Sequence, residues 1–271
     1  MKFDSNRAWQ KATAAIRANR EVIFALAGVF FLLPSLAFSL FFPQPDPPAG
    51  ADEAAMMAFA SAYYAKALPA MIPLAILQAA GMLALLTLLT DSSRPTVGRA
   101  IRIGFAALLP FVGAQILAGM GLVLALVIVS VVTALTGVKA MAAAGMLMIL
   151  CLAVYVWIRI SLTGPVIAVE GLRNPVAALR RSWALTKGQT LRIFLFYFLI
   201  VLVFTIILSL VLALSGILLA LVLPQNLAMI AAAVISASLG SGMMLTLVAA
   251  LAATHAQLAE PAGRDGELRY D

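Results

Sequence analysis

Six apolar stretches, each near or above the roughly 20 residues that cross a hydrocarbon core, leave this chain few ways to fold. They run Val22–Phe42, Leu68–Leu89, Phe105–Val132, Ala140–Leu162, Ile193–Leu221 and Leu227–Ala253. A soluble domain carries about 25% charged and 45–50% apolar residues, whereas the 271 residues here are 11% charged and 64% apolar. Lipid offers backbone amides no partners, so each stretch is predicted to be a helix that satisfies its own hydrogen bonds. Cations orient the set. Of 18 Lys and Arg residues, 16 fall in four segments: up to Arg20, Arg94–Arg102, Arg159–Arg192 and beyond Glu260. Six crossings place all four segments on one side, with only Lys66 and Lys139 opposite. The positive-inside bias then predicts a multi-pass protein of a bacterial inner membrane with both termini cytoplasmic.

The expected fold class is all-α, a single six-span domain over residues 1–258 followed by a flexible cytoplasmic tail, 259–271. Three basic, partly apolar segments precede the three span pairs, which suggests pseudo-repeated units at about 1–90, 91–162 and 163–258. Each segment is read as a short amphipathic helix on the cytoplasmic surface: Ser5–Arg20, with Trp9, Ala12 and Ile16 on one face; Arg94–Arg102; and Asn174–Lys187, with Val176, Leu179 and Trp183 as its apolar stripe. On the other side Ala51–Ala67, with Tyr63 and Tyr64, is read as a separate helix in the outer interface. Pro34, Pro73 and Pro110 fall in or beside spans, where a missing amide permits a kink. The N-terminal 20 residues are too long and amphipathic for a signal peptide's charged region, so the first span is expected to stay uncleaved, and neither end carries a lipidation signature. Cys151 is a lone thiol, which excludes a disulfide framework. The net charge of +7 sits beside apolar spans, so anionic headgroups at the cytoplasmic face, and not nucleic acid, are the expected counter-charge.

Residues Tyr155–Ile200, YVWIRISLTGPVIAVEGLRNPVAALRRSWALTKGQTLRIFLFYFLI, carry a more specific signal. Arg159 near the end of the fourth span, Pro165 and Glu170 in the connection, and Ala178, Arg181, Ser182 and Leu185 before Gly188 resemble the bacterial family named after the membrane domain of glycerophosphoryl diester phosphodiesterase. The motif covers about a sixth of the chain, and the six-span layout extends the likeness to nearly all of it. The resemblance implies a helical membrane domain that is sometimes fused to a soluble phosphodiesterase and often stands alone. It does not bring the enzyme with it. Hydrolysis of a glycerophosphodiester needs His acid/base groups and carboxylates around a divalent cation, and here His255 is the one histidine among 11 scattered acids. No catalytic residue, metal site or cofactor is expected.

Several residues have both a structural and a functional reading. Arg159 and Glu170 are spaced for an ion pair across the Gly164–Pro165 turn, either as a clasp or with Arg159 free to meet a lipid phosphate. Arg173, Arg180, Arg181, Lys187 and Arg192, with Trp183 among them, form a cytoplasmic cluster that is an orientation signal or a headgroup platform. Ser182 belongs to the same segment. Gln78 and Gln115 lie inside spans, where interhelical hydrogen bonds explain them more simply than a solute path. Ser236, Ser238, Gly240 and Gly242 make two small-xxx-small pairs, which mark a helix contact within the chain or between copies. His255 reads as a hydrogen-bonded interfacial histidine.

These features favour a non-enzymatic membrane protein that contacts or helps move lipids or other amphipathic molecules. Two rivals remain open: an accessory subunit organising a separate enzyme or exporter, and a secondary transporter or channel; the expected protein partner is another membrane protein or a second copy of the chain. The transporter reading lacks ionisable residues at the span centres.

Overall fold

The structure is a computed structural model that describes residues 3–43, 45, 50, 52–90 and 96–259. Arg94, the tail 260–271 and most of the proline-rich turn after Pro43 lie outside the described residues. Among those described, every regular element is helical: α1 (Ser5–Ala18), α2 (Arg20–Ala27), a π turn (Gly28–Leu32), α3 (Leu33–Phe41), α4 (Glu53–Thr90), α5 (Val97–Thr136), α6 (Lys139–Ile160), α7 (Thr163–Val169), α8 (Pro175–Leu185), α9 (Thr190–Val222) and α10 (Gln225–Ala259). Six of the resulting rods are long and apolar enough to cross a membrane: 20–41, 53–90, 97–136, 140–169, 190–219 and 225–259.

The helix boundaries follow local chemistry. Asp4 caps α1 by accepting from the amides of Asn6 (2.9 Å) and Arg7 (3.1 Å), and Asn174 caps α8 through Val176 N–H (3.0 Å) and Ala177 N–H (3.2 Å). Pro175 stands in the first turn of α8, where its missing N–H costs nothing. Pro34 explains the π turn. It cannot donate to the Phe30 carbonyl four residues back, and its ring crowds that oxygen. Widening the chain over Gly28–Leu32 relieves both.

Two expected surface elements are absorbed into spans. The outer-interface helix is continuous with the second span as α4, 38 residues, and the basic segment ending at Arg102 is the first turns of α5, 40 residues. At 1.5 Å per residue these rods are about 57 and 60 Å long. Pro69 and Pro73 fall inside α4 without ending it, since the ring removes only one bond from a ladder carried on both sides. Separate short helices therefore introduce the first and third units only, as α1 and α8.

The alternating helices bring the starts of α2, α5 and α9 and the ends of α4, α6 and α10 to one end, here the basic end. Most buried apolar side chains lie in that half. One cluster joins Ile23, Phe31, Leu83, Leu86, Val166 and Val248; another joins Phe3, Ile158, Ile193, Phe196, Ala249 and Ala253. Toward the other end large apolar side chains face outward: Val123, Leu124 and Val131 on α5, Leu210, Leu214 and Leu218 on α9, and Met229 and Val234 on α10 are all exposed. No residue of the most apolar 18-residue stretch of α5 is buried.

What packs inward is small. Ala8 and Ala12, both under 2% exposed, seat α1 against Ala249, Ala250 and Ala253 of α10, while Trp9 of the expected stripe is 41% exposed. In α8 the buried row is Ala178, Ser182 and then Thr186 beyond its end, with Val176 and Trp183 of the expected stripe exposed. Alanine rows let helix axes approach where indole and branched side chains cannot.

Candidate functional site

Between α6 and α9 the chain turns back on itself twice, and two polar clasps hold these turns. The first centres on Arg159, 4% exposed. Ser182 Oγ donates to the Arg159 carbonyl at 2.8 Å, using one of the carbonyls left open where α6 ends. The Arg159 guanidinium lies over the Trp183 ring at 4.5 Å and near Tyr155 at 5.7 Å, and those two rings meet edge to face at 5.8 Å. Nη1 reaches Thr186 Oγ1 at 3.4 Å. The arginine is thus solvated by π faces and a hydroxyl, a cation–π arrangement that needs no acid.

The second clasp takes the carboxylate that sequence spacing offered to Arg159. Glu170 receives Arg181 Nε at 3.0 Å and His255 Nε2 at 2.9 Å. Gly171, at φ +73°, turns the chain after Glu170 so that α8 returns over α7, bringing Arg181 to the carboxylate, while α10 supplies His255. Arg159 points instead to the other side of α8. Burial alone would raise the Glu170 pKa, but the hydrogen bonds from Arg181 and His255 and the charge of Arg181 prevail and hold it below the ordinary 4.5. His255 Nδ1 is buried and unpartnered, so the neutral ring that fits carries its proton on Nε2 and donates it to Glu170.

The remaining cluster residues stay apart. Arg173, Arg180 and Lys187 are exposed. Ser238 donates to Val234 O of its own helix at 2.7 Å, a Cβ on Gly240 would meet nothing within 4 Å, and one on Gly242 would meet only Phe204 at 3.9 Å. The contact of that region within the chain is made by Ser241, whose hydroxyl donates to Ala27 O at 3.3 Å; Ser236 has no hydrogen bond to another helix among the described residues. The tight crossing lies elsewhere. Gly104 backs onto α4 so closely that a Cβ would come 2.7 Å from Ala80 O and 2.9 Å from Ala84 N. Ala80-xxx-Ala84 and Ala100-xxx-Gly104 were readable as small-xxx-small pairs of the same kind.

Above the core a cavity of about 220 Å³ is ringed by α4 (Met82), α5 (Phe111, Gln115), α6 and α7 (Trp157, Ser161, Pro165), α9 (Tyr197) and α10 (Met244, Leu251). Its walls are apolar apart from three groups. Gln115 has no hydrogen bond among the described residues, unlike Gln78, which donates to Ser35 Oγ at 3.0 Å. The Tyr197 hydroxyl is buried beside those of Ser161 and Thr254 and makes no hydrogen bond of good geometry. Among the described residues no three His, Cys, Asp or Glu side chains come together to hold a metal ion.

Replacing Ser182 by alanine leaves the Arg159 carbonyl with only the long 3.4 Å contact from Thr186 Oγ1. That substitution is expected to cost about 1–2 kcal/mol, read as a lower midpoint of denaturant unfolding in detergent. A midpoint equal to that of the parent protein would remove this clasp from the account of stability.

An all-helical protein with six helices fit to span a membrane, closed at its basic end by two polar clasps, is the class these features define. The chain belongs to the family DUF7847, a domain of unknown function, which matches residues 7–258. No curated protein and no solved structure matches the chain.

Proposed function

We propose that this is a non-enzymatic integral membrane protein of the bacterial inner membrane, with both termini cytoplasmic, that contacts lipids or other amphipathic molecules or helps to move them. α1 and α8 then lie along the cytoplasmic surface, and the outward Leu, Ile, Val and Met side chains meet acyl chains. Soluble monomers rarely leave contiguous apolar patches beyond a few hundred Å², which supports insertion. The resemblance of residues 155–200 to the glycerophosphoryl diester phosphodiesterase membrane domain is compatible with this reading.

The observation that carries lipid handling is the cavity among α4, α5, α6, α7, α9 and α10. It is smaller than the roughly 300–1,000 Å³ of small-molecule pockets, a size suited to part of an acyl chain. Tyr197 and Gln115 offer unspent hydrogen bonds to a hydroxyl or ester group on it. A lipid bearing a photoreactive diazirine on its acyl chain tests this in vesicles. Labelling concentrated on Trp157–Pro165 and Met244–Leu251, above that of outward residues such as Leu109 and Leu214, is expected; even labelling of all lipid-facing helices would defeat the proposal. Tyr197→Phe deletes an unpaired hydroxyl, so unfolding stability should be unchanged within about 0.5 kcal/mol or slightly raised, while labelling at the cavity falls.

A second reading, an accessory subunit, is favoured by one observation. The Ser236–Gly242 row is left open within the chain at Gly240, ready for another helix backbone. A stoichiometric protein partner co-purifying in native nanodiscs would favour that role.

A further inference from the structure

At the basic end, a second and smaller hollow of about 160 Å³ lies in the seam between α5 and α7. Its floor is apolar and well buried: Ala107, Ile167 and Ala168 are all under 10% exposed. Two arginines also line it, Arg102 from α5 and Arg173 from the turn after Gly171. Arg99, one turn before Arg102, lines an adjoining concavity with Gly98. None of these three arginines has an ion-pair partner among the described residues, and the nearest acid of the α7–α8 turn, Glu170, is occupied by Arg181 and His255. Two arginines without ion-pair partners, lining one hollow with an apolar floor, match a phosphate whose remainder is apolar.

The seam continues upward in register. On α5, Ile103 and Ala107 line the hollow and Phe111 and Gln115 line the larger cavity, successive steps of four residues on one face; on the other wall Ala168 and Ile167 are followed by Gly164 and Pro165. Ala107 to Phe111 rises about 6 Å, so the two hollows lie about one helical turn apart along α5.

We propose that Arg102 and Arg173 form a binding site for the phosphate of an anionic phospholipid, such as a phosphatidylglycerol, whose apolar portion lies along the α5–α7 seam toward the Tyr197 cavity. This deepens the lipid-handling reading by giving it a headgroup class and an entry point, and it rests on that reading. The positive end of α5 adds to the attraction at Gly98 and Arg99. The exposed Arg180 and Lys187 lie outside this hollow.

The full-length protein in nanodiscs of equal phosphatidylglycerol and phosphatidylcholine, released for native mass spectrometry, provides the test. The parent protein is expected to retain phosphatidylglycerol preferentially. Arg102→Gln with Arg173→Gln should reduce that retention about tenfold or more, whereas Arg180→Gln with Lys187→Gln leaves it unchanged. Unaltered circular dichroism and a monodisperse elution profile establish that the double variant is folded, and Arg102→Lys with Arg173→Lys, keeping the charge, should recover part of the preference. Equal retention of the two lipids by the parent protein, or undiminished phosphatidylglycerol on the Gln variant, overturns the site. Displacement of the lipid by millimolar inorganic phosphate or glycerol 3-phosphate also overturns it, because the arginines would then serve a soluble phosphate. Acyl-chain labelling of the cavity that survives in the double variant separates failure of this site from failure of the lipid-handling proposal.

Discussion

Gly104→Val is expected to abolish the folded protein, and Gly104→Ala to cost about 1–3 kcal/mol. The atoms in the way are backbone. A Cβ at position 104 would lie 2.7 Å from Ala80 O and 2.9 Å from Ala84 N, and neither can swing aside as a side-chain tip would. α4 and α5 must separate to admit it, which opens the cluster holding Leu83, Leu86 and Ala107. Gly119→Ala on the same helix is the control, since nothing lies within 4 Å of that site and alanine favours helix by up to about 1 kcal/mol over glycine. Denaturant unfolding in one detergent measures both. Equal shifts in the two variants would show that the α4–α5 crossing is not as close as described.

Glu170→Ala ranks next. Arg181 is 42% exposed at its side chain and loses little, because water screens such pairs. His255 is different: its side chain is 4% exposed, and removing the acceptor leaves a buried N–H without a partner, at about 1–3 kcal/mol. Glu170→Gln keeps an acceptor oxygen and should cost less. Acid produces a related effect. The folded pKa of Glu170 lies below its ordinary 4.5, so the clasp's stabilisation is complete above about pH 4.5 and disappears as pH falls through the folded value. The parent protein should therefore lose stability below pH 4.5 more steeply than Glu170→Gln. Parallel pH profiles for the two would exclude Glu170 as the source.

Composition and apolar length were enough to predict the all-helical class and the six long helices, because a 20-residue apolar run has few alternatives. Faces were harder to predict. Of the apolar stripes expected on α1 and α8, Ala12 is buried and Ile16 packs partly against the core, but Trp9, Val176 and Trp183 are exposed, and the rows that pack are Ala8 with Ala12 and Ala178 with Ser182. When the outward medium favours large apolar side chains, size and not hydropathy decides which face packs. The same inversion explains Gly104: its small-xxx-small spacing was present, but Ser236–Gly242 carried the same signature with equal force, and spacing alone does not say which row finds a partner helix. The segment 155–200 was singled out in the sequence, though the pairing of its polar residues was not legible. Arg159 and Glu170 are near in sequence, whereas His255, 85 positions from Glu170, enters only through the tertiary fold. Tyr197, in an apolar run, gave no sign that its hydroxyl would be left unpaired.

The seating of α1 bears on how the protein is made. Phe3 N–H donates to Gln189 at 3.2 Å, Asp4 N–H donates to Gln257 at 3.3 Å, and Ala8 and Ala12 rest on alanines 249, 250 and 253. Every one of these partners is translated long after α1 itself, the Gln257 contact spanning 253 positions. At about 5–20 residues per second, the first helix waits on the order of 10 to 50 s for its resting place. During that interval its alanine face and Phe3 lack the surface on which they finally rest, so a helix synthesised early is among the last to be placed.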